Sequence, residues 1–204
     1  LSSGFAMQAT GGSRPAASAE HMLAHFWETT DVAANRPFNL HGILAAAASR
    51  LVLPMYRALY ARLRTFEPDD AARRAAFDAE LPWTESMEEG LRPFHRKIAE
   101  QAGSRVLDRE ILARRLTAFR ENRQSLIELA DKILGEMEQA VQILHALDYP
   151  LSFGTLGIPE ADVLLPLRNV RLLRQRYSSF DLAYELGLSS FMREQGEKSL
   201  REMG

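Results

Sequence analysis

His21 and His25 stand four residues apart behind a Gly12-Ser13-Arg14-Pro15 turn, and His41 follows in Asn39-Leu40-His41-Gly42, so three of the chain's five histidines crowd into one stretch. On a helix, residues four apart lie one turn along the same face. This is the spacing by which paired imidazoles reach one ion in zinc proteases. The Glu that such proteases place beside the first histidine is missing, because position 22 is Met. A lone pair at this spacing is also a common coincidence of surface or core. His41 changes the weighing: a histidine opening the next helix, after a loop of suitable length, returns to the same end of a bundle. Neutral imidazole suits zinc, iron or nickel, and two or three such ligands completed by a carboxylate leave an open position for substrate. Glu20 and Glu28 are the carboxylates nearest in sequence, although the helical wheel turns Glu20 away from His21 and His25. Arg14, in the turn before this helix, is placed to meet a phosphate-bearing substrate or a carboxylate across a cleft. His95 and His145 are isolated and read as structural or solvent-facing, and Phe26, Trp27 and Trp83 read as core aromatics.

Helices must position these groups. Ser18 is a cap for a helix from Ala19 to about Thr29, with Glu20 in the first turn where it favours the dipole. A polar loop from Asp31 to Asn39 leads to a long Ala-rich helix from His41 to about Thr65, with a kink expected at Pro54. Asp69 opens a helix to about Leu81, and Thr84 opens one that ends near Gly103. Asp108 and Ser125 mark two more, the second carrying Leu126, Leu129, Ile133, Met137, Ala140 and Leu144 at helical spacing as bundle packing. A Gly- and Pro-containing loop follows from Asp148 to Pro159. Three short helices are then expected near Glu160 to Leu165, Leu167 to Arg176 and Phe180 to Leu186. No segment alternates with period two, so the fold class is all-α, a multi-helix bundle. Residues 1–188 read as the helical metal- and substrate-binding domain and 189–204 as a polar C-terminal tail.

At 204 residues and 23.0 kDa the chain supports one core of ordinary size, or at most two small ones. Its 27 acidic residues nearly balance 25 basic ones, with no basic run that could follow a phosphate backbone, which excludes nucleic acid as an expected partner. The absence of cysteine excludes disulfides and thiolate chemistry. Apolar stretches around Ile43 to Met55 read as too short for membrane insertion, and no basic leader precedes an apolar segment, so the expected setting is cytoplasmic. No strand, Gly-rich turn and helix unit is present to hold a dinucleotide.

Ser3-Gly4-Phe5-Ala6-Met7, then Gly12-Ser13-Arg14-Pro15-Ala16-Ala17-Ser18-Ala19-Glu20-His21, then His25-Phe26-Trp27-Glu28, and Leu40-His41-Gly42 together resemble the sn-glycerol-1-phosphate dehydrogenase family. The closing run from Leu172 to Ala183, with Glu185-Leu186-Gly187-Leu188, is similar to that family's end. The family belongs to the group that includes glycerol dehydrogenase, iron-containing alcohol dehydrogenase and dehydroquinate synthase. The match brackets nearly the whole chain and is least specific in the middle.

The resemblance implies the C-terminal helical domain of a two-domain enzyme, with the active site in the cleft against an N-terminal domain that binds NAD or NADP and is absent from this chain. It implies a metal, zinc or else iron or nickel, held by an Asp and two histidines. His21 and His41 match the two histidine motifs, and the Asp is expected upstream of Leu1. His25 is then left as a proton relay or a group supporting the ligands, and two imidazoles alone leave a weak site, so the chain by itself is expected to be inactive. The implied partners are a small phosphorylated polyol or ketose and the nucleotide-binding domain, and a homo-oligomer stays open. Two departures bear on substrate identity. Ala17-Ser18 stands where the family usually reads Ser-Gly, and Ala45-Ala46-Ala47-Ala48-Ser49 replaces a Val-Gly-Val-Gly-Thr type of run. A glycerol dehydrogenase or dehydroquinate synthase-like domain, or a non-catalytic helical interaction module, are the alternatives.

Overall fold

A computed structural model describes residues 19–37, 39–80, 107–149, 151–173 and 177–203. All regular structure among them is helical: α1 (Ala19–Ala33), α2 (His41–Leu63), α3 (Asp70–Ala79), α4 (Arg109–Ala146), α5 (Glu160–Arg168), α6 (Val170–Leu173), α7 (Ser179–Glu185) and α8 (Ser189–Met203). The Ser18 cap, Arg14, the helix expected from Thr84 to Gly103, Trp83 and His95 lie outside these residues.

The centre of the fold is α2, which packs against α1, α4 and α8. Its buried residues, Leu44, Ala47, Ala48, Leu51, Val52, Met55, Tyr56, Leu59 and Leu63 among them, recur at three- and four-residue steps along the helix. Alanines on this face let neighbouring backbones approach. The helix continues through Pro54, which sits on the exposed side, where a missing N–H leaves only a carbonyl that water can reach. At 23 residues α2 is long and apolar enough to cross a bilayer, contrary to the sequence reading, but half of its apolar window is buried against other helices. A core helix passes the same test of length and composition.

Two expected boundaries move. The helices anticipated from Asp108 and Ser125 are one 38-residue helix, capped by the Asp108 carboxylate accepting from the Ile111 N–H at 2.7 Å. Ser125 is exposed in mid-helix with helix formers on both sides, so its capping preference has nothing to cap. The buried edge of α4 runs through Ile127, Ala130, Leu134 and Val141, while Leu129 and Ile133 of the expected stripe face outward. The second change concerns 189–204, read as a polar tail. Most of it is α8, which buries Met192, Gly196, Ser199 and Met203 on the bundle. Between its two methionines that inward face is made of Gly196 and Ser199, small residues that hydropathy overlooks. A Cβ on Gly196 would stand 2.6 Å from Leu167 Cδ2 and 3.2 Å from Met55 Cε, and Ser199 Oγ donates to the Leu51 carbonyl at 2.8 Å.

The loop after α4 also belongs to the core. Leu151, Phe153, Leu156 and Ile158 are buried, and Phe153 meets Trp27 of α1 edge-on at 4.9 Å between ring centroids. Trp27 Nε1 donates to the Asp162 carbonyl at 3.0 Å, which ties α1 to α5.

Candidate metal centre

The sequence of α1 divides the helix into two faces. Met22, Leu23, Phe26 and Trp27 are buried, whereas His21, His25 and Glu28 follow each other at four and three residues on the other side. Helical periodicity alone therefore stacks two imidazoles and a carboxylate. The helix runs past the expected start of the loop, to Ala33, and Asn35 makes the reversal with φ of 52°. Arg36 anchors the turn by donating to buried Asp31 at 2.8 Å and to Asp162 at 2.5 Å. Asn39 Nδ2 donates to the Leu156 carbonyl at 3.0 Å. These ties deliver His41, the first residue of α2, to the histidine face of α1.

There the three rings meet. Ring centroids are 4.5 Å apart for His21 and His25 and 4.7 Å for each ring with His41. One carboxylate serves two of them: Glu28 Oε2 lies 2.7 Å from His25 Nδ1 and Oε1 lies 2.8 Å from His41 Nδ1. The third ring sits between the other two, with His21 Nε2 at 3.0 Å from His25 Nε2 and His21 Nδ1 at 3.1 Å from His41 Nε2. The side chains of His25 and His41 are 35% and 37% exposed and that of Glu28 is 18% exposed, so the cluster opens to solvent above a half-buried carboxylate.

Proton counting shows what this arrangement asks for. A carboxylate only accepts, so the Nδ1 atoms of His25 and His41 carry N–H groups, and in neutral rings both Nε2 atoms then carry lone pairs. His21 faces both lone pairs. A neutral imidazole has one N–H and can serve one of them, which leaves the other contact with two lone pairs turned toward each other. A further proton on any one of the three rings relieves this, and so does a cation among the nitrogens.

The donor set fits a divalent transition ion. One nitrogen from each ring can be chosen so that all three lie within 4.8 Å of one another. Tetrahedral zinc with Zn–N of about 2.0–2.1 Å needs nitrogens roughly 3.3 Å apart, within reach of small ring rotations. Imidazole nitrogens favour zinc, nickel or iron over magnesium or calcium.

Glu20 takes no part. Burial pushes its carboxyl above the usual range, and burial followed by the charge of Glu20 pushes the phenol of Tyr56 in α2 well up, which places Glu20 on the core side. His145 is exposed at the end of α4, away from any such cluster. The structure thus brings His21, His25 and His41 together, with His21 between the other two. The role of Glu28 as the tie between two rings is new, and its signal in the sequence is the His-x-x-x-His-x-x-Glu spacing that continues the histidine face by one more turn. No family model matches the chain, and neither the curated proteins nor the solved structures contain a match.

Proposed function

We propose that this chain is the metal-binding helical half of an NAD(P)-linked polyol-phosphate dehydrogenase, similar to the sn-glycerol-1-phosphate dehydrogenases. The observation that supports it is the convergence of three imidazoles, one ligand atom from each within 4.8 Å, at the opening of α2. The motifs around His21 and His41 supply the family frame. In that frame a nucleotide-binding domain faces the cluster, and the setting is cytoplasmic. A ketose carbonyl, a reduced nicotinamide and a proton give the alcohol and the oxidised nicotinamide.

A zinc, iron or nickel ion in the cluster supplies Lewis acidity toward the substrate's carbonyl or hydroxyl oxygen. His21 and His41 hold that ion, and Glu28 keeps the His41 ring from turning. His25 and His41 are reached by solvent, and the buried face of α1 prevents the helix from rotating away from the cluster.

The test is made on the protein that carries this chain together with a nucleotide domain. Loaded with zinc, iron(II) or nickel(II), it is expected to oxidise NADH or NADPH in the presence of dihydroxyacetone phosphate. His21→Ala and His41→Ala are expected to remove metal and turnover together. A metal-loaded protein that reduces neither dihydroxyacetone phosphate nor a related ketose refutes the assignment.

A further inference from the structure

We propose that His21, His25 and His41 form a three-nitrogen metal centre complete within this chain, and that Glu28 is the positioning residue that aims two of its three ligands. The inference rests on the metal-site reading above and gives His25 a place that the family resemblance does not give it.

His25 and His41 are equivalent in geometry. Each has Nδ1 on one oxygen of Glu28, at 2.7 and 2.8 Å, and each has Nε2 against a nitrogen of His21, at 3.0 and 3.1 Å. Among the described residues, no contact of these two rings distinguishes a ligand from a helper. A proton relay also needs one ring nitrogen turned toward substrate while the other passes the proton on. Both His25 nitrogens are committed, Nδ1 to Glu28 and Nε2 to the middle of the cluster, so His25 has the connections of a ligand.

Glu28 makes the set possible. By accepting from both Nδ1–H groups it holds both rings in the tautomer whose lone pair is on Nε2, the nitrogen nearest His21. A carboxylate behind a ligating histidine is the usual outer partner of zinc sites, fixing ring orientation and raising ligand basicity. Here a single carboxylate does this for two ligands from two helices. Its reach from α1 across to the first residue of α2 couples the metal site to the turn held by Arg36 and Asn39. Three neutral imidazoles bind a borderline ion firmly and leave a fourth position for an oxygen. Two imidazoles alone would not.

The test uses this chain, stripped with a chelator and titrated with Zn2+ and with Co2+ as a visible reporter. One ion per chain is expected, with a cobalt spectrum of low coordination number. His25→Gln and His41→Gln are each expected to lose more affinity than the roughly 10–100-fold that an outer partner costs, and Glu28→Gln to fall within that range. Imidazole 15N shifts of the metal-free chain are expected to show Nδ1–H on His25 and His41, and to lose that tautomer on one ring in Glu28→Gln, a change that loss of packing alone would not produce. Circular dichroism melts of each variant confirm that the helices remain. His25→Gln binding zinc like the wild type overturns the proposal, as does a chain that binds no zinc or histidines protonated on Nε2. None of these outcomes touches the dehydrogenase reading, which is decided by ketose reduction in the longer protein.

Discussion

Two partly buried polar clusters, one around α7 and one at the α1–α2 junction, handle the same problem in opposite ways. Around α7, carboxylates and backbone carbonyls meet guanidinium and hydroxyl donors. Buried Glu185 takes the Arg115 guanidinium on one oxygen and the Tyr177 hydroxyl, at 2.7 Å, on the other. Arg73 donates to the Glu185 and Tyr184 carbonyls at 3.1 and 3.0 Å and to Glu80 at 3.1 Å. Arg171 stacks on the Tyr184 ring at 3.3 Å from its centroid and lies 3.5 Å from Asp181. Burial, and then the Glu185 charge, push the Tyr177 phenol far up, so it stays a donor. At the histidine cluster one carboxylate serves two of three rings, and in neutral rings one of the two nitrogen contacts sets lone pair against lone pair. Matched polar groups hold a fold together. Converging lone pairs describe a place for something else.

The largest expected stability effect tests the first half of this contrast. Glu185→Ala removes the acceptor shared by Arg115 and Tyr177, and breaking a buried pair costs about 3–5 kcal/mol when the remaining charge stays buried. Arg115 is 44% exposed and can turn to solvent, so the lower end, about 3 kcal/mol, is expected in urea melts. Zinc affinity should not change. If the variant loses zinc as well, the two clusters are one coupled system and the contrast fails.

The second prediction concerns the other half. His21→Ala in chelator-treated buffer is expected to shift stability by under about 1 kcal/mol, since the ring is only half-buried. Zinc at about 100 times its dissociation constant should add about 2.7 kcal/mol to the wild type and nothing to the variant. A variant that unfolds without any metal present would make the histidines structural.

These differences explain which parts of the molecule could be read from residues alone. The Asp69 and Asp108 caps and the apolar faces of α1 and α2 are local signals, and the helix starts after them follow. The approach of His41 to His21 and His25 needs only a helical spacing and a short return. Glu28 is harder, because its two bonds reach different helices and neither partner is named by the other's sequence. The face of α8 escapes hydropathy for a related reason: Gly196 and Ser199 are buried because α2 and α5 lie close, a property of three helices together. The extension of α4 past Ser125 likewise depends on a continuous surface to pack against. Glu185 reads in the sequence as one acid among 27, and only the arrival of Arg115 and Arg73 from α4 and α3 makes it structural.

The smallest expected effect belongs to an exposed pair that sits between these extremes. Asp70, in the first turn of α3, accepts from the Arg120 guanidinium, with Arg74 3.6 Å away. The hydrogen bond from Arg120 holds the Asp70 carboxyl below its usual range. A carboxyl depressed in the folded state contributes stability that is present above its unfolded value, about 3.9, and is lost as pH falls through the lower folded one. Because both partners are partly solvated, Asp70→Asn is expected to cost only about 0.5 kcal/mol near neutral pH. Arg120 keeps its bond to the Pro68 carbonyl at 2.9 Å in the variant, so the link between α4 and the start of α3 persists. Melts of wild type and variant should therefore differ slightly from pH 7 down to about 4 and converge below it. A difference above roughly 1.5 kcal/mol, or one that grows toward acid, would place Asp70 in the same class as Glu185 and erase the distinction between exposed and buried partners.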